Sequence, residues 1–188
     1  MSRDILFDHG NARFSYRISA LIVQNGRALL QCPVGTQDYA FIGGHVAFGE
    51  TAKDTLVREI REEIHADATI GDLCAVGEVF IDWGKLPDGS LRHCHQIGLY
   101  FRATVDESQL PSTDCQSGSD RQSGSDRFFG YNEAGGEKYS IEYIWVPLEE
   151  LPRLTVYPPE AAAHILSGSR DVLHFTYTEL PEDTLWPD

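Results

Sequence analysis

Residues 43–66 read GGHVAFGETAKDTLVREIREEIHA, and this stretch decides the fold. From Ala52 to Ile64 it contains neither Gly nor Pro, and Thr51 followed by Asp54 has the form of a capping box, so a helix is expected over 52–64. Leu56, Val57, Ile60 and Ile64 recur at helical spacing and form the anchoring side. With Glu59 at zero and about 100° per residue, Glu62 falls near −60° and Glu63 near +40°, beside an apolar arc of roughly +60° to +160°. Three carboxylates thus sit at the edge of a buried face. Crowded carboxylates repel one another unless cations neutralise them, and hard oxygen donors in this number suit Mg²⁺ or Mn²⁺. The double glycine Gly43-Gly44 lets backbone approach a ligand closely.

Working outward, residues 14–23 read as a strand, Asn25-Gly26 as a hairpin turn and Arg27–Cys32 as the returning strand. Further strands are expected at 73–81, 95–105 and 141–147, with a Pro87-Asp88-Gly89 turn between the first two. Pro158-Pro159 opens a second helix over 159–167 with Gly168 as its C-cap, and 172–177 is apolar. Residues 106–138 are polar and carry QSGSDR twice in tandem, so they read as a flexible insertion. Residues 178–188 read as an acidic tail. No linker divides the chain, which is expected to form one domain over 1–188 with an α/β (α+β) sandwich architecture.

The chain has 188 residues, 41% of them apolar, which suits an ordinary globular core. Its net charge of −14 argues against a general grip on nucleic-acid backbone or anionic membrane. A nucleotide substrate remains compatible, because bound divalent cations supply the missing positive charge. Cys32, Cys74, Cys94 and Cys115 form no CxxC pair, and the opening MSRDILFDHG has neither a basic nor an apolar signal region. A cytoplasmic protein with free thiols and no membrane association is therefore expected. His93 and His95 share one face of a strand with Cys94 opposite, and no second ligand pair makes a zinc site of them.

An acidic helix face alone reads as a solvated surface. The full spacing does not: Gly44, five residues, Glu50, seven residues, Arg58-Glu59-Ile60, one residue, Glu62-Glu63. This resembles the Nudix box, running from Gly44 to Ala66, with His65 in place of the box glycine and Ala66 at the last aliphatic position. Ile42 stands where relatives often carry Pro. The resemblance implies a Nudix-type α/β/α sandwich with a central mixed sheet. It implies Mg²⁺ or Mn²⁺ held by Glu59, Glu62, Glu63 and the carbonyl of Gly43, with Arg58 holding a box carboxylate. Gly44 and Glu50 would be structural members of the box. The general base is expected to be Glu59 or Glu62, or else one of Glu107, Glu133, Glu137 and Glu142.

Outside the box, Arg17, His45 and Gly44 are candidates for contact with substrate phosphate. Phe14, Tyr16, Phe41, Tyr100 and Trp145 are candidates for stacking a base, each with a core role as the alternative. The implied activity is hydrolysis of a phosphoanhydride in a nucleoside diphosphate linked to another group: a nucleoside triphosphate, nucleotide sugar, ADP-ribose or dinucleoside polyphosphate. A Nudix-fold binding module without turnover is the alternative, disfavoured because the three box glutamates are present. An RNA-end pyrophosphatase would want a basic track that this chain lacks. The resemblance also allows a homodimer.

Overall fold

A computed structural model describes residues 4–111, 127–134 and 137–187, with backbone alone for 131–134 and 137–139. A short strand β1 (Leu6–His9) leads into β2 (Ala12–Gln24), which turns at Asn25-Gly26 into β3 (Arg27–Pro33). Asn25 and Gly26 both have positive φ (51° and 73°), as a tight hairpin turn demands. Then follow β4 (Asp38–Ala40), β5 (Ile42–His45), helix α1 (Ala52–Ile64), β6 (Ala68–Lys85) and β7 (Leu91–Val105). The chain continues through β8 (Arg127–Ala134), β9 (Glu137–Pro147), β10 (Thr155–Tyr157), α2 (Pro159–Ser167) and β11 (Leu173–Thr178).

The strands form a mixed sheet in the order β10-β4-β3-β2-β7-β6-β11, with β5 on β2 and the β8–β9 hairpin joined to β3. Pairings β2–β7, β6–β11 and β4–β10 are parallel, the others antiparallel. Alternation along β2 sends Ile18, Ala20 and Ile22 into one core with Leu56, Ile60 and Ile64 of α1. Leu21 points into a second core with Ala161, Ala162 and Ile165 of α2. The two helices therefore cover opposite faces, and the expected α/β/α sandwich with a central mixed sheet is found. Leu56, Ile60 and Ile64 are fully buried, which contributes about 1.5–3 kcal/mol each. Truncating Ile60 to Ala would cost about 2–5 kcal/mol.

Thr51 caps α1 through the reciprocal bonds expected with Asp54. At the other end His65 is left-handed (φ 57°, ψ 24°) and donates its N–H to the Arg61 carbonyl. Gly168 closes α2 in the same conformation.

Four expectations need correction. Strand β8 and the start of β9 lie inside the 106–138 stretch read as a flexible insertion, and Phe128 of β8 is buried against Tyr143 with ring centroids 5.3 Å apart. The duplicated QSGSDR and Cys115 lie outside the described residues. The strands read at 73–81 and 95–105 extend to 68–85 and 91–105, because they pair with each other along almost their whole length. The segment read as an acidic tail is anchored, since Trp186 packs on Phe80 and His93 at centroid distances of 6.1 and 5.9 Å. On α1, Val57 is 38% exposed while Glu63 is only 4% exposed. The buried arc is rotated toward the carboxylates because β8 crosses the last turn of the helix. A β-carbon on Gly130 would meet the Glu63 carbonyl oxygen at 2.5 Å.

Candidate active site

Helix α1 and strand β5 together bring the box residues to one place. Arg58 is the hub. Its Nε and Nη2 donate to Glu50 at 3.1–3.2 Å, and its Nη1 donates to Glu59 Oε1 at 2.8 Å and to Glu62 Oε2 at 3.1 Å. Glu50 also accepts from the buried Thr55 hydroxyl at 2.9 Å. The Arg fork thus spaces three carboxylates that would otherwise repel. Burial pulls the Arg58 pKa down, but the bond to Glu50 and the charges of Glu59 and Glu62 raise it further, so it stays a cation.

The three metal-ligand candidates sit in unlike surroundings. Glu62 is open to solvent, with 60% of its side chain exposed, whereas that of Glu59 is 16% exposed. Burial raises the Glu59 pKa against the pull of Arg58. Glu63 is sealed beneath β9 and accepts from the Tyr143 hydroxyl at 3.2 Å. Burial, and then the charge of Glu59, push the Glu63 carboxyl up to about 8. Two carboxylates held in low dielectric with raised pKa values are what a divalent cation would relieve, so this hard-oxygen donor set fits Mg²⁺ or Mn²⁺. As arranged, no three His, Cys, Asp or Glu side chains among the described residues converge into a closed cage.

Gly44 pairs with Ile18 of β2 and carries the Glu59 carboxylate directly against its α-carbon. At Gly43 the neighbour is backbone: a β-carbon would stand 2.1 Å from the Ile18 carbonyl oxygen. Both glycines are required by this close approach of β5 to β2 and α1.

On the opposite face of the sheet Arg17, Ser19, Gln96, Tyr100, Tyr157 and Glu179 line the mouth and walls of a cavity of about 260 Å³. Arg17 makes no hydrogen bond or ion pair among the described residues. It lines the cavity, and its charge acts on Glu59 and Glu63 as well as on Tyr100. Beside it, His45 stacks on Trp83 at 5.4 Å, with its Nε2 buried and unpartnered among the described residues. Burial, aided by Arg17, lowers its pKa to about 4 and keeps it neutral.

The remaining candidates separate by location. Glu107 is engaged by Arg27, Gln24 and Asn25 at the β2–β3 turn. Glu142 pairs with Arg127 at 2.9 Å and alternates with Tyr143, which places it on the face away from Glu63. The side chains of Glu133 and Glu137 lie outside the described residues. Trp145 is buried in the α1 core under Arg27, and Phe14 stacks on Phe7. Tyr16 packs against the α1 core, while Phe41 and Tyr100 line the cavity. Gln96 and Glu179 were not legible as site residues. Only the β2–β7 and β6–β11 registers bring them to Arg17, and no local motif encodes those registers.

The NUDIX domain family matches residues 14–166. The chain belongs to the NUDIX family. Its expected membership of the Nudix hydrolase superfamily, and the enzyme class that goes with it, hold. No curated protein matches the sequence. Among solved structures, a mutator MutT protein from Bacillus halodurans is 16% identical with a TM-score of 0.56, covering 88% of this chain and 91% of that one. A NUDIX hydrolase from Nitrosomonas europaea is 15% identical with a TM-score of 0.54, covering 88% and 79%. An ADP-ribose pyrophosphatase from Streptococcus suis is 15% identical with a TM-score of 0.52, covering 86% and 98%. At these identities the likeness to this NUDIX chain is one of fold. Among the described residues no helix is long and apolar enough to cross a membrane.

Proposed function

We propose that this NUDIX chain is a divalent-metal-dependent hydrolase of a phosphoanhydride in a nucleoside diphosphate linked to another group. The observation that carries this reading is that Arg17, a cation without a partner among the described residues, lines the cavity while its charge reaches the Glu59 and Glu63 carboxylates. Glu59, Glu62, Glu63 and the Gly43 carbonyl would hold the ions. Bound Mg²⁺ or Mn²⁺ supplies charge neutralisation for the phosphates and acidifies water at the site.

Arg58 fixes Glu59 and Glu62 in place, and Glu62, the solvent-facing carboxylate, takes the proton from the attacking water. Arg17 binds a phosphate oxygen and steers the remainder of the substrate into the cavity. His45, neutral and packed on Trp83, shapes the wall beside Arg17 rather than adding charge. The net charge of −14 favours a small nucleotide derivative as substrate over a membrane surface or long nucleic acid.

The test is release of phosphate or mononucleotide from a panel of nucleotide derivatives with Mg²⁺ or Mn²⁺, for wild type and Glu62→Gln in parallel. Metal-dependent turnover that drops by about 10²-fold or more in the variant is expected. Binding without turnover by any compound would replace the hydrolase with a nucleotide-sensing module.

A further inference from the structure

Two buried polar side chains in the cavity have no hydrogen-bond partner among the described residues. Gln96 is 9% exposed and Tyr100 3% exposed. Both line the cavity, and neither side chain makes a hydrogen bond among the described residues. Unlike Ser15 Oγ or His45 Nε2, this amide and this hydroxyl are not sealed from solvent, so they face the cavity with hydrogen-bonding capacity that a ligand can use. They flank Gly98 on β7, and Gly98 is the register partner of Arg17 on β2. A Cβ at Gly98 would meet the Tyr100 ring and hydroxyl at 3.0–3.1 Å, so the glycine leaves a trough between the two polar groups and beneath the arginine.

The far end of the cavity carries one carboxylate, Glu179. Tyr177 donates its hydroxyl to Glu179 Oε1 at 2.6 Å, which fixes that carboxylate at the rim and leaves its second oxygen for a ligand. The cavity therefore runs from a cation at Arg17, past an amide and a hydroxyl, to the Glu179 carboxylate, which only accepts. A phosphorylated ligand bound along it must present hydrogen-bond donors at the end remote from its phosphate. The volume of about 260 Å³ suits one heterocycle with its sugar.

We propose that this cavity selects nucleotides whose base carries a ring N–H beside a carbonyl, the lactam edge of guanine, hypoxanthine and uracil, over adenine and cytosine. Glu179 accepts the ring N–H, and Gln96 and Tyr100 donate to the carbonyl. The Gln96 amide alone would accept either edge by turning over, so the choice falls on Glu179. With the exocyclic position of the base held against Gln96 and Tyr100, adenine and cytosine turn a ring-nitrogen lone pair toward that carboxylate, which repels it. The proposal rests on the reading of the α1 carboxylates and Arg17 as a nucleotide site, and names what that site takes.

Binding of GMP, IMP, UMP, AMP and CMP is measured by calorimetry on the full chain without metal, for wild type, Glu179→Gln and Tyr100→Phe. Turnover of GDP- and ADP-linked substrates with Mg²⁺ follows. Wild type is expected to bind the lactam monophosphates at least about tenfold tighter than AMP and CMP. Glu179→Gln should bring the two classes within about threefold, and Tyr100→Phe should weaken the lactam class alone. Equal binding of all five, or an unchanged preference in Glu179→Gln with circular dichroism showing a folded protein, overturns the proposal. Base preference in binding with no turnover of any substrate would instead overturn the hydrolase reading and leave the selectivity standing.

Discussion

The carboxylate of Glu59 lies against the α-carbon of Gly44: a β-carbon placed there would be 2.4 Å from both Cδ and Oε1. The obstacle is a side-chain carboxylate rather than backbone, but Arg58 holds it, so Gly44→Ala should still fold while losing about 1–3 kcal/mol as that bond gives way. It should also displace Glu59 and lower metal-dependent kcat/KM by about tenfold or more. Thermal unfolding measured beside kinetics checks both halves. A large fall in Tm with unchanged activity would contradict this placement of Glu59.

Arg58 spans Glu50, Glu59 and Glu62 with a planar fork that lysine cannot reproduce. Arg58→Lys should keep the charge yet lose about 10–100-fold in kcat, with a rise in the Mg²⁺ concentration needed for half-maximal rate. A titration of rate against Mg²⁺ reads both.

Glu63 gives the metal-free protein a pH dependence of definite sign. Its folded pKa of about 8 lies above the ordinary 4.5, so the folded state holds the extra proton between those values. Stability is full below about pH 4.5 and declines as pH rises toward 8, by an amount on the order of a few kcal/mol. In EDTA, Tm should therefore fall between pH 6.5 and pH 8, above the range in which His45 titrates, and Glu63→Gln should flatten that slope. Added Mg²⁺ should raise Tm most at the alkaline end, since ions bind the deprotonated carboxylate. A Tm that rises steadily with pH across this window in EDTA would rule out a protonated Glu63.

His45 contributes in the opposite direction. Its folded pKa of about 4 lies below the ordinary 6.5, so the unfolded state takes up a proton first. This contribution is intact above about pH 6.5 and is lost as pH falls through 4. Measured against wild type, His45→Gln should lose less stability between pH 6.5 and pH 4.

Removing the Tyr143 hydroxyl isolates one bond to the buried carboxyl. Tyr143→Phe keeps the ring stacked on Phe128 and deletes the donor to Glu63, a net cost of about 1 kcal/mol. The hydroxyl favours the charged carboxylate, so the midpoint of the pH-dependent stability loss should move upward in the variant. Tm profiles in EDTA for the two proteins give the comparison.

Local signals carried much of this architecture. Thr51 and Asp54 marked the start of α1, Asn25-Gly26 the first hairpin, and Gly168 the end of α2, because each solves a problem within a few residues of itself. The spacing of Arg58, Glu59, Glu62 and Glu63 placed the candidate site in the same way. What escaped the sequence depends on distant partners. Helical periodicity gives the angles between Val57, Glu59 and Glu63 but not the direction from which β8 arrives, so the burial of Glu63 and the exposure of Val57 were not legible. Gln96 and Glu179 become neighbours of the site only through long-range strand registers. Trp186 finds Phe80 and His93 across about 100 residues of chain, and nothing near it announces that contact.

Strand β2 pairs in parallel with β7 at an offset of 81 residues, Ala12 lying opposite His93. During synthesis, β2, its hairpin and the capped helix α1 all leave the ribosome before β7 does. One edge of β2 therefore waits with its backbone groups unpaired while the chain grows. Closing so large a loop is slow compared with forming a capped helix, which makes docking of β7 the natural bottleneck of assembly. The carboxylate-bearing helix is ready early, and the cavity that faces it from across the sheet is completed last.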